Sequence, residues 1–319
     1  MDYNDKINTD DVINNLKIAA DIHYKVRTDC QQYLKSGKKY YDIVKLYENE
    51  IRKYSTDKID IAFPIGFSVN NICAHDSSYK GDNRILNKGD IVKIDFGVHS
   101  NGYIIDSAYT HVVDTDFNNL NNKTKNLITS TIEATNIAIK NSGVDARLYE
   151  LSELIEETIS SYDGIKPIYA IGGHNILQNK IHGGKLILGK PHPSQEGIMM
   201  VENEIFAIET FASTGTGDLK MLPNITHYMQ KNNDTKSINL LKNIKCGDYL
   251  KKRNMLPFNM DWIDNLLKRE LDLLTKLNIV EAYPALADIK DNALTSQHEH
   301  TIFIKDSGII KLSDFDNFN

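Results

Sequence analysis

Residues 91–111, IVKIDFGVHSNGYIIDSAYTH, decide the fold that we predict for this 319-residue chain. Apolar and polar side chains alternate on both sides of a short polar segment, which is typical of two half-buried β-strands. The dipeptide Asn101-Gly102 between them favours a tight hairpin turn. Asp95 would lie on the first strand and Asp106 on the second.

The register of this hairpin determines how close the two aspartates come. With the turn at residues 100–101, Asp95 lies directly opposite Asp106. With the turn at residues 101–102, the two are diagonal neighbours. In both registers two carboxylates share one face within interaction distance, and like charges there destabilise a hairpin unless a cation lies between them. The hairpin therefore indicates a metal site, although most strand aspartates are simply solvated.

Composition is that of an ordinary globular protein, with 41% hydrophobic and 25% charged residues. The net charge of −6 argues against a nucleic-acid surface. Three widely spaced cysteines, Cys30, Cys73 and Cys246, are typical of a reducing compartment. The N-terminus is polar and acidic, unlike a signal peptide, and no apolar run has membrane-spanning length. We therefore expect a soluble, cytoplasmic protein that binds neither nucleic acid nor membrane.

Helical and strand patterns alternate along the chain in two rounds. Apolar residues at three- and four-residue steps predict a helix from Asp10 that stops by Gly37, and others over about 41–54, 123–141 and 145–161. Short strands and glycine-rich loops are expected over 166–211. Lysine-rich segments of helical period follow at 237–254 and 262–277, and strand character returns at 299–305. The order predicts an α+β fold with a helical segment set into its second round.

Further polar residues capable of chemistry lie outside the predicted helices. His174 follows a glycine pair and His182 precedes another, so the backbone can come close to whatever each imidazole touches, although a plain turn predicts the same glycines. Glu209 lies on an otherwise apolar strand face, which is costly without a partner. Glu299 lies between two histidines on the last strand. Cys73 has no second Cys-x-His pair with which to bind zinc, so we expect it to be structural.

Eight motifs, taken in order, resemble those of the type 2 methionine aminopeptidases. They are FPIGFSVNNICAH (63–75), KIDFG (93–97), IIDSAYT (104–110), GGH (172–174), IHGGK (181–185), AIETF (207–211), THYM (226–229) and HEHTI (298–302). The resemblance extends from the first helix to Lys305. It implies the pita-bread fold, in which helices flank a curved antiparallel sheet. It also implies one catalytic domain over residues 1–319, with an inserted helical subdomain at about 228–283.

The resemblance further implies a role for each residue of the site. The implied metal ligands are Asp95, Asp106, His174, Glu209 and Glu299, of which Asp106 and Glu299 would bridge two ions. The implied catalytic residues are His75, His182 and Glu209, and the implied substrate-binding residues are Phe63, His75, Ile181, His182 and His227. Four carboxylates balance two divalent ions, and one imidazole among them suits Mn, Co, Fe or Zn.

The function that the resemblance implies is metal-dependent removal of the N-terminal methionine from nascent proteins and peptides with a small second residue, by a metal-bridged hydroxide. Nascent polypeptide N-termini at the ribosome would be its partners, and we expect a monomer. A prolidase or Xaa-Pro aminopeptidase is an alternative, but those enzymes usually carry an additional N-terminal domain, and only 62 residues precede Phe63. A non-catalytic relative of the fold is another, but all five ligand positions are intact.

Three features depart from the family pattern. His298 and Leu177 stand where an apolar residue and a glycine are usual, and we expect them to affect metal preference or pocket shape rather than ligand number. The long charged N-terminal extension of many eukaryotic members is not seen, so a ribosome-binding role for that segment is not expected here.

Overall fold

A computed structural model describes residues 9–231, 246–263 and 268–313. Its helices are α1 (Thr9–Gln31), α2 (Tyr40–Arg52), α3 (Asn122–Lys140), α4 (Leu148–Ser160), α5 (Gly247–Arg253) and α6 (Lys268–Lys276). Its strands are β1 (Ile59–Ile61), β2 (Gly66–Val69), β3 (Ile72–Ala74), β4 (Ile91–Ser100), β5 (Tyr103–Val112), β6 (Lys166–Pro167), β7 (Gly172–Ile176), β8 (Leu186–Leu188), β9 (Ile205–Ser213), β10 (Leu219–Gln230), β11 (Val280–Asp288), β12 (Thr295–Lys305) and β13 (Gly308–Lys311).

The first four predicted helices are present, with shifted ends. Helix α1 stops at Gln31, before Gly37, because the backbone there bonds to a distant loop instead of continuing a helix. The Gly37 N–H donates to the Leu86 carbonyl at 2.8 Å, and Gly37 itself is left-handed, with φ of +81°. Helix α4 starts three residues later than predicted, since Asp145 is left-handed, with φ of +65°, and Arg147 forms a β-bridge with Met199. Long-range backbone pairing, which local periodicity does not report, sets both ends.

The hairpin of β4 and β5 has the second of the two registers considered above. Its turn residues are Asn101 and Gly102, with φ of +50° and +79°, as an Asn-Gly turn of type I′ requires. Asp95 pairs with Ala108, and Gly97 with Asp106. The two aspartates are therefore diagonal neighbours and not directly opposite one another.

The described residues form three antiparallel sheets. β5 lies on β4 in a sheet of order β1-β4-β2, and β13-β12-β9-β7-β8 form the largest sheet, with β6 on β9; a third has the order β10-β11-β3. Side-chain hydroxyls join β5 to β12: Ser107 Oγ donates to the Glu299 carbonyl at 2.7 Å, and Thr301 Oγ1 to the Asp106 carbonyl at 2.7 Å. These bonds bring two strands with acidic side chains together without a backbone ladder.

Helices cover the outer faces of these sheets in two layers. Leu16 of α1 and Tyr47 of α2 belong to one core cluster with Phe96 of β4. Leu127 of α3 and Ile155 of α4 belong to a second cluster, which includes residues of β9 and β12. The inner faces of the sheets are thereby left to line a central cavity. No described helix is long and apolar enough to cross a membrane.

The predicted insertion falls between β10 and β11. These strands pair from Leu219↔Asp288 to Gln230↔Val280, so residues 228–230 and 280–283 at the edges of the predicted segment belong to the sheet. Helices α5 and α6 lie between the strands and share a small core of their own, which includes Leu250 and Leu274. The rest of the predicted helical segments, 237–245 and 264–267, lies outside the described residues. That this segment is an inserted subdomain stays a prediction.

Candidate metal centre

Four strands deliver one carboxylate each to the same place. Asp95 comes from β4 and Asp106 from β5, as the hairpin sequence predicted. Glu209 of β9 lies directly opposite Glu299 of β12 in the strand register. The hydroxyl bonds between β5 and β12 then place this glutamate pair beside the aspartate pair.

His174 on β7 completes the group. Its Nε2 lies 3.6 Å from Asp106 Oδ2 and 3.9 Å from Glu209 Oε1. The glycine before it has a specific reason: a Cβ at Gly173 would lie 2.6 Å from the Ala207 carbonyl oxygen of β9. Only glycine lets β7 approach β9 this closely, so the glycine pair that flanks His174 is a packing requirement and not simply a turn signal.

The five side chains form two overlapping sets of possible ligand atoms. Asp106, His174 and Glu299 form one set, and Asp95, Glu209 and Glu299 the other, with the atoms of each set within 4.8 Å of one another. Glu299 belongs to both sets, as expected for a bridging ligand. Two metal positions that share a carboxylate are compatible with this grouping.

The protonation of the four carboxyl groups shows how unfavourable their charges are without a counterion. Burial raises the pKa of Asp95 to about 6. Burial, followed by the charges of the neighbouring carboxylates, raises the pKa of Asp106, of Glu209 and of Glu299 well above the ordinary range. A buried cluster of this kind stays ionised near neutral pH only if cations enter it.

Carboxylate oxygen atoms without a hydrogen-bond donor also indicate that this cluster binds cations. When ionised, Asp95 Oδ1, Asp106 Oδ1 and Glu299 Oε2 find no N–H or O–H donor among the described residues. A buried acceptor without a donor is costly, and it is relieved by a bound cation. The donor set of carboxylate oxygens with one imidazole suits a divalent first-row metal. The residues therefore fit divalent metal ions.

Gln297 is a residue of this centre that the sequence analysis missed. Its Nε2 donates to Asp95 Oδ2 at 3.0 Å and to Glu209 Oε2 at 3.1 Å. One amide thus orients two predicted ligands from different strands. The only signal in the sequence was its position two residues before Glu299, on the same face of the strand.

A cavity of about 340 Å³ opens beside the carboxylates. All ten residues proposed for the site line it: Phe63, His75, Asp95, Asp106, His174, Ile181, His182, Glu209, His227 and Glu299. Its apolar wall also includes residues that the sequence analysis did not single out, among them Met229, Pro257, Leu188 and Tyr283. The placement of the predicted residues around one cavity agrees with their proposed roles, which stay predictions.

The cavity histidines are neutral near pH 7. Burial, aided by the neighbouring His182, lowers the pKa of His75 to about 4, and burial, aided by His75, lowers that of His227 to about 3. Burial also lowers the pKa of His182, whose ring lies 4.4 Å from that of His174 in an edge-to-face arrangement. A neutral imidazole can offer one N–H donor to a substrate oxygen and keep the other nitrogen as an acceptor.

Phe63 explains a glycine of the hairpin. A Cβ at Gly97 would lie 2.3 Å from the Phe63 ring. The glycine of the KIDFG motif thus makes room for the aromatic wall of the cavity.

The two departures from the family pattern lie away from this cavity. Leu177 is 44% exposed, and His298 is buried with its ring 4.8 Å from that of His300. Neither lines the cavity. Cys73 is structural in position as expected, because its buried thiol donates to the Leu286 carbonyl at 3.1 Å.

A pita-bread sheet with a buried carboxylate and imidazole centre defines a metal-dependent peptidase. The model of metallopeptidase family M24 matches residues 14–235. The chain therefore belongs to this family, and relatives named methionine aminopeptidase 2 are among the proteins that it matches. It is 37% identical to methionine aminopeptidase 2 of Komagataella phaffii over 92% of this chain and 67% of the relative. It is 36% identical to methionine aminopeptidase 2 of Kluyveromyces lactis over 91% of this chain and 73% of the relative.

Solved structures show the same fold. A thermophilic Arx1 superposes with a TM-score of 0.81 at 20% identity, over 97% of this chain and 92% of that one. Methionine aminopeptidase of Thermotoga maritima gives 0.66 at 20% identity, over 94% and 96%. The prolidase of Pyrococcus horikoshii gives 0.58 at 15% identity, over 95% of this chain but 61% of that one. These likenesses confirm the predicted pita-bread architecture.

Proposed function

We propose that this protein is a methionyl aminopeptidase, which removes the N-terminal methionine from peptides with a small second residue. The observation that carries the proposal is one of placement: five candidate metal ligands lie on the wall of a largely apolar cavity that is open to a peptide end. Its 37% identity with a methionine aminopeptidase 2 over 92% of the chain supports the substrate class.

Asp95, Asp106, His174, Glu209 and Glu299 would hold two divalent ions, of which Mn, Co, Fe and Zn are candidates by donor chemistry. Bound there, such ions polarise a scissile carbonyl and lower the pKa of a water molecule toward neutrality. The remaining chemistry falls to groups of the chain. Glu209, a carboxylate that lines the cavity, can accept a proton and release it to the departing amine.

Two neutral imidazoles would act on the scissile bond itself. His182 lies beside His174 and can donate an N–H to the oxygen on which charge develops. His75 would lie beside the nitrogen that leaves. Because both pKa values are lowered, chiefly by burial, each ring is neutral and can donate without a competing positive charge near the metals.

The apolar part of the cavity would take the methionine side chain. Phe63, Ile181 and His227 line it, together with Met229. A flexible thioether packs well against such a wall of aromatic and aliphatic groups. The free amine of the substrate would then lie by the carboxylates, which accounts for cleavage at a chain end.

Nascent polypeptide N-termini in the cytoplasm, presented at the ribosome, are the substrates that we propose. We further propose that a monomer acts on them and that the segment between β10 and β11, predicted at about 228–283, forms the inserted subdomain of type 2 members. The name methionine aminopeptidase 2 of the relatives supports the substrate class, and the small core that α5 and α6 share supports the insertion.

A peptide assay tests the proposal. The purified protein is freed of metal, reloaded with Mn²⁺, Co²⁺, Fe²⁺ or Zn²⁺, and given Met-Ala-Ser and an Xaa-Pro peptide without methionine. We expect release of methionine from the first peptide only. Preference for the Xaa-Pro bond would favour a prolidase, and metal binding without release from either peptide would favour a non-catalytic relative.

A matched pair of variants links that activity to the site. Glu299→Gln removes a proposed bridging charge, whereas Glu202→Gln makes the same change at an exposed position before β9. We expect release to be lost in the first variant and unchanged in the second.

A further inference from the structure

His75 has a backbone conformation that needs an external cause. Its φ is +61°, in the left-handed region, where the Cβ of an L-residue is disfavoured. It directly follows β3, and its ring faces the cavity, 6.0 Å from the ring of His227 and 5.8 Å from that of Tyr283. A non-glycine residue stays in this region only when surrounding contacts hold it there.

The next residue supplies such contacts. Asp76 is fully buried. Its Oδ2 accepts a hydrogen bond from Arg84 Nη1 at 2.6 Å, and its Oδ1 one from Asn224 Nδ2 at 2.7 Å. Its carbonyl oxygen accepts from the Phe67 N–H at 2.7 Å. Both the side chain and the backbone of Asp76 are thus tied to other parts of the fold.

Arg84 makes further hydrogen bonds within the same turn. Its Nη2 donates to the Ser77 carbonyl at 2.9 Å and to Asp82 Oδ2 at 2.7 Å. The guanidinium also lies 4.9 Å from the centre of the Tyr40 ring, on α2. On the other side, Thr226 Oγ1 donates to the His75 carbonyl at 3.3 Å. The chain is therefore held at the His75 carbonyl and at the two residues that follow it.

We propose that Arg84 and Asp76 are positioning residues: their ion pair holds residue 75 in the left-handed conformation, so that the His75 ring faces the substrate cavity. The catalytic consequence rests on the proposed function, in which His75 lies beside the scissile bond. The simpler alternative is that the ion pair only stabilises the loop from residue 76 to residue 84.

A second ion pair offers a matched control. The Arg84 side chain is 36% exposed and pairs with Asp76, whose side chain is 1% exposed. The Arg52 side chain is 40% exposed and pairs with Glu48, whose side chain is also 1% exposed. Arg52 does not line the substrate cavity. In the metal-loaded enzyme acting on Met-Ala-Ser, we expect Arg84→Met to lower kcat at least tenfold with KM changed less than threefold. Arg52→Met should leave both constants within twofold, and Arg84→Lys should recover part of kcat.

A double-variant cycle separates positioning from loop stability. If Arg84 acts through His75, Arg84→Met should have less than a twofold effect on the residual kcat of His75→Ala, because the ring that it positions is already absent. A tenfold loss in that background, or equal losses in Arg84→Met and Arg52→Met, would overturn the inference and leave the proposed function standing. If Arg84→Met does not fold, Asp76→Asn takes its place in the cycle, because it removes the charge of the other ion-pair partner and keeps the size of the side chain.

A measurement without turnover tests the conformation itself. At a left-handed residue, glycine is favoured over alanine, so His75→Gly should melt about 2 °C above His75→Ala. In the Arg84→Met background the gap should vanish, because the turn can relax. A gap that persists there would mean that the ion pair does not hold residue 75. The melting temperatures can be compared even if the protein releases no methionine. Failure to release methionine would contradict the proposed function but not the role of the ion pair.

Discussion

This protein has two buried carboxylate clusters, and their negative charge is balanced in different ways. Around Asp76 and Asp82 the chain supplies its own cation, Arg84, which bonds to both side chains. At the metal centre, four carboxylates converge with one neutral imidazole and one amide, and no lysine or arginine among the described residues lines the adjoining cavity. The first cluster is complete as folded, whereas the second is complete only with ions from solution.

The protonation behaviour of the clusters reflects this difference. In the Arg84 cluster, burial raises the pKa of Asp76 although hydrogen bonds from Arg84 and Asn224 oppose it, whereas at Asp82 the hydrogen bonds from Arg84 and Ser78 outweigh burial and the pKa is lowered. Burial raises the pKa of Asp106 well above the ordinary range, and the charges of Asp95 and Glu209 raise it further. A carboxylate cluster without an internal counterion thus identifies a metal site better than burial alone does.

The largest expected effect comes from removing a shared ligand. Glu299→Gln should reduce methionine release by roughly 10³-fold or more, or about 4 kcal/mol in transition-state stabilisation, because Glu299 belongs to both sets of ligand atoms. Metal content measured on the same sample should fall. The metal-free variant should melt above the metal-free wild type at neutral pH, since the glutamine is neutral by itself whereas Glu299 must take up a proton on folding. Full activity with unchanged metal content would place the centre elsewhere.

Metal removal should make stability depend on pH at this cluster. The folded metal-free protein holds protons on carboxyl groups that are ionised in the unfolded chain, so the unfolded state binds fewer protons and stability falls as pH rises. For Asp95 the loss runs from about pH 4 through its folded pKa of about 6. It amounts to about 3 kcal/mol. Denaturant titrations at pH 5 and pH 8 would measure about 1.4 kcal/mol of it, because the unfolded Asp95 is already ionised at pH 5, and metal-loaded protein should show little of this change. Equal stability of the metal-free protein at pH 5 and at pH 8 would contradict the raised pKa of these carboxyl groups.

The internally paired cluster should respond differently to the same chemical change. Asp76→Asn should lower the free energy of unfolding by about 2–3 kcal/mol, because it weakens charge-assisted bonds from Arg84 and Asn224 in a buried setting. Chelation should not alter this cost, which urea titrations with and without EDTA would show. If Asp76→Asn instead raised the free energy of unfolding, it would act as we expect Glu299→Gln to act in the metal-free protein. The two clusters would then not differ in how their charges are balanced.

The smallest effect is expected at the amide that spans two ligands. Gln297→Leu should weaken metal binding about tenfold, or about 1.4 kcal/mol, because Asp95 and Glu209 lose their common donor. Calorimetric titration with Mn²⁺ would measure this change. Asn259→Leu serves as a control, since that buried amide donates to the Ser78 carbonyl and accepts from the Asp261 N–H, and none of these residues lines the cavity. A similar loss of affinity in both variants would mean that Gln297 only supports the fold.

Local sequence determined several features of this protein by itself. The Asn101-Gly102 turn with alternation on either side specified the hairpin, because a type I′ turn and a half-buried strand are both encoded by adjacent residues. Helical periodicity likewise specified α1 to α4 within a few residues. The motifs around Asp95, Asp106, His174, Glu209 and Glu299 carried a family resemblance that the sequence comparisons confirmed.

Other features were decided only by the tertiary structure, because they depend on residues far apart in the chain. Between the two hairpin registers, either of which the sequence allowed, the structure has the turn at residues 101–102. The approach of Glu209 to Glu299 comes from pairing across some ninety residues, and the contact of Asn224 with Asp76 spans an even longer stretch. The left-handed conformation of His75 has no local signal, since a histidine after a strand ordinarily stays extended. Burial then turned carboxylates of ordinary acidity into a centre that requires cations.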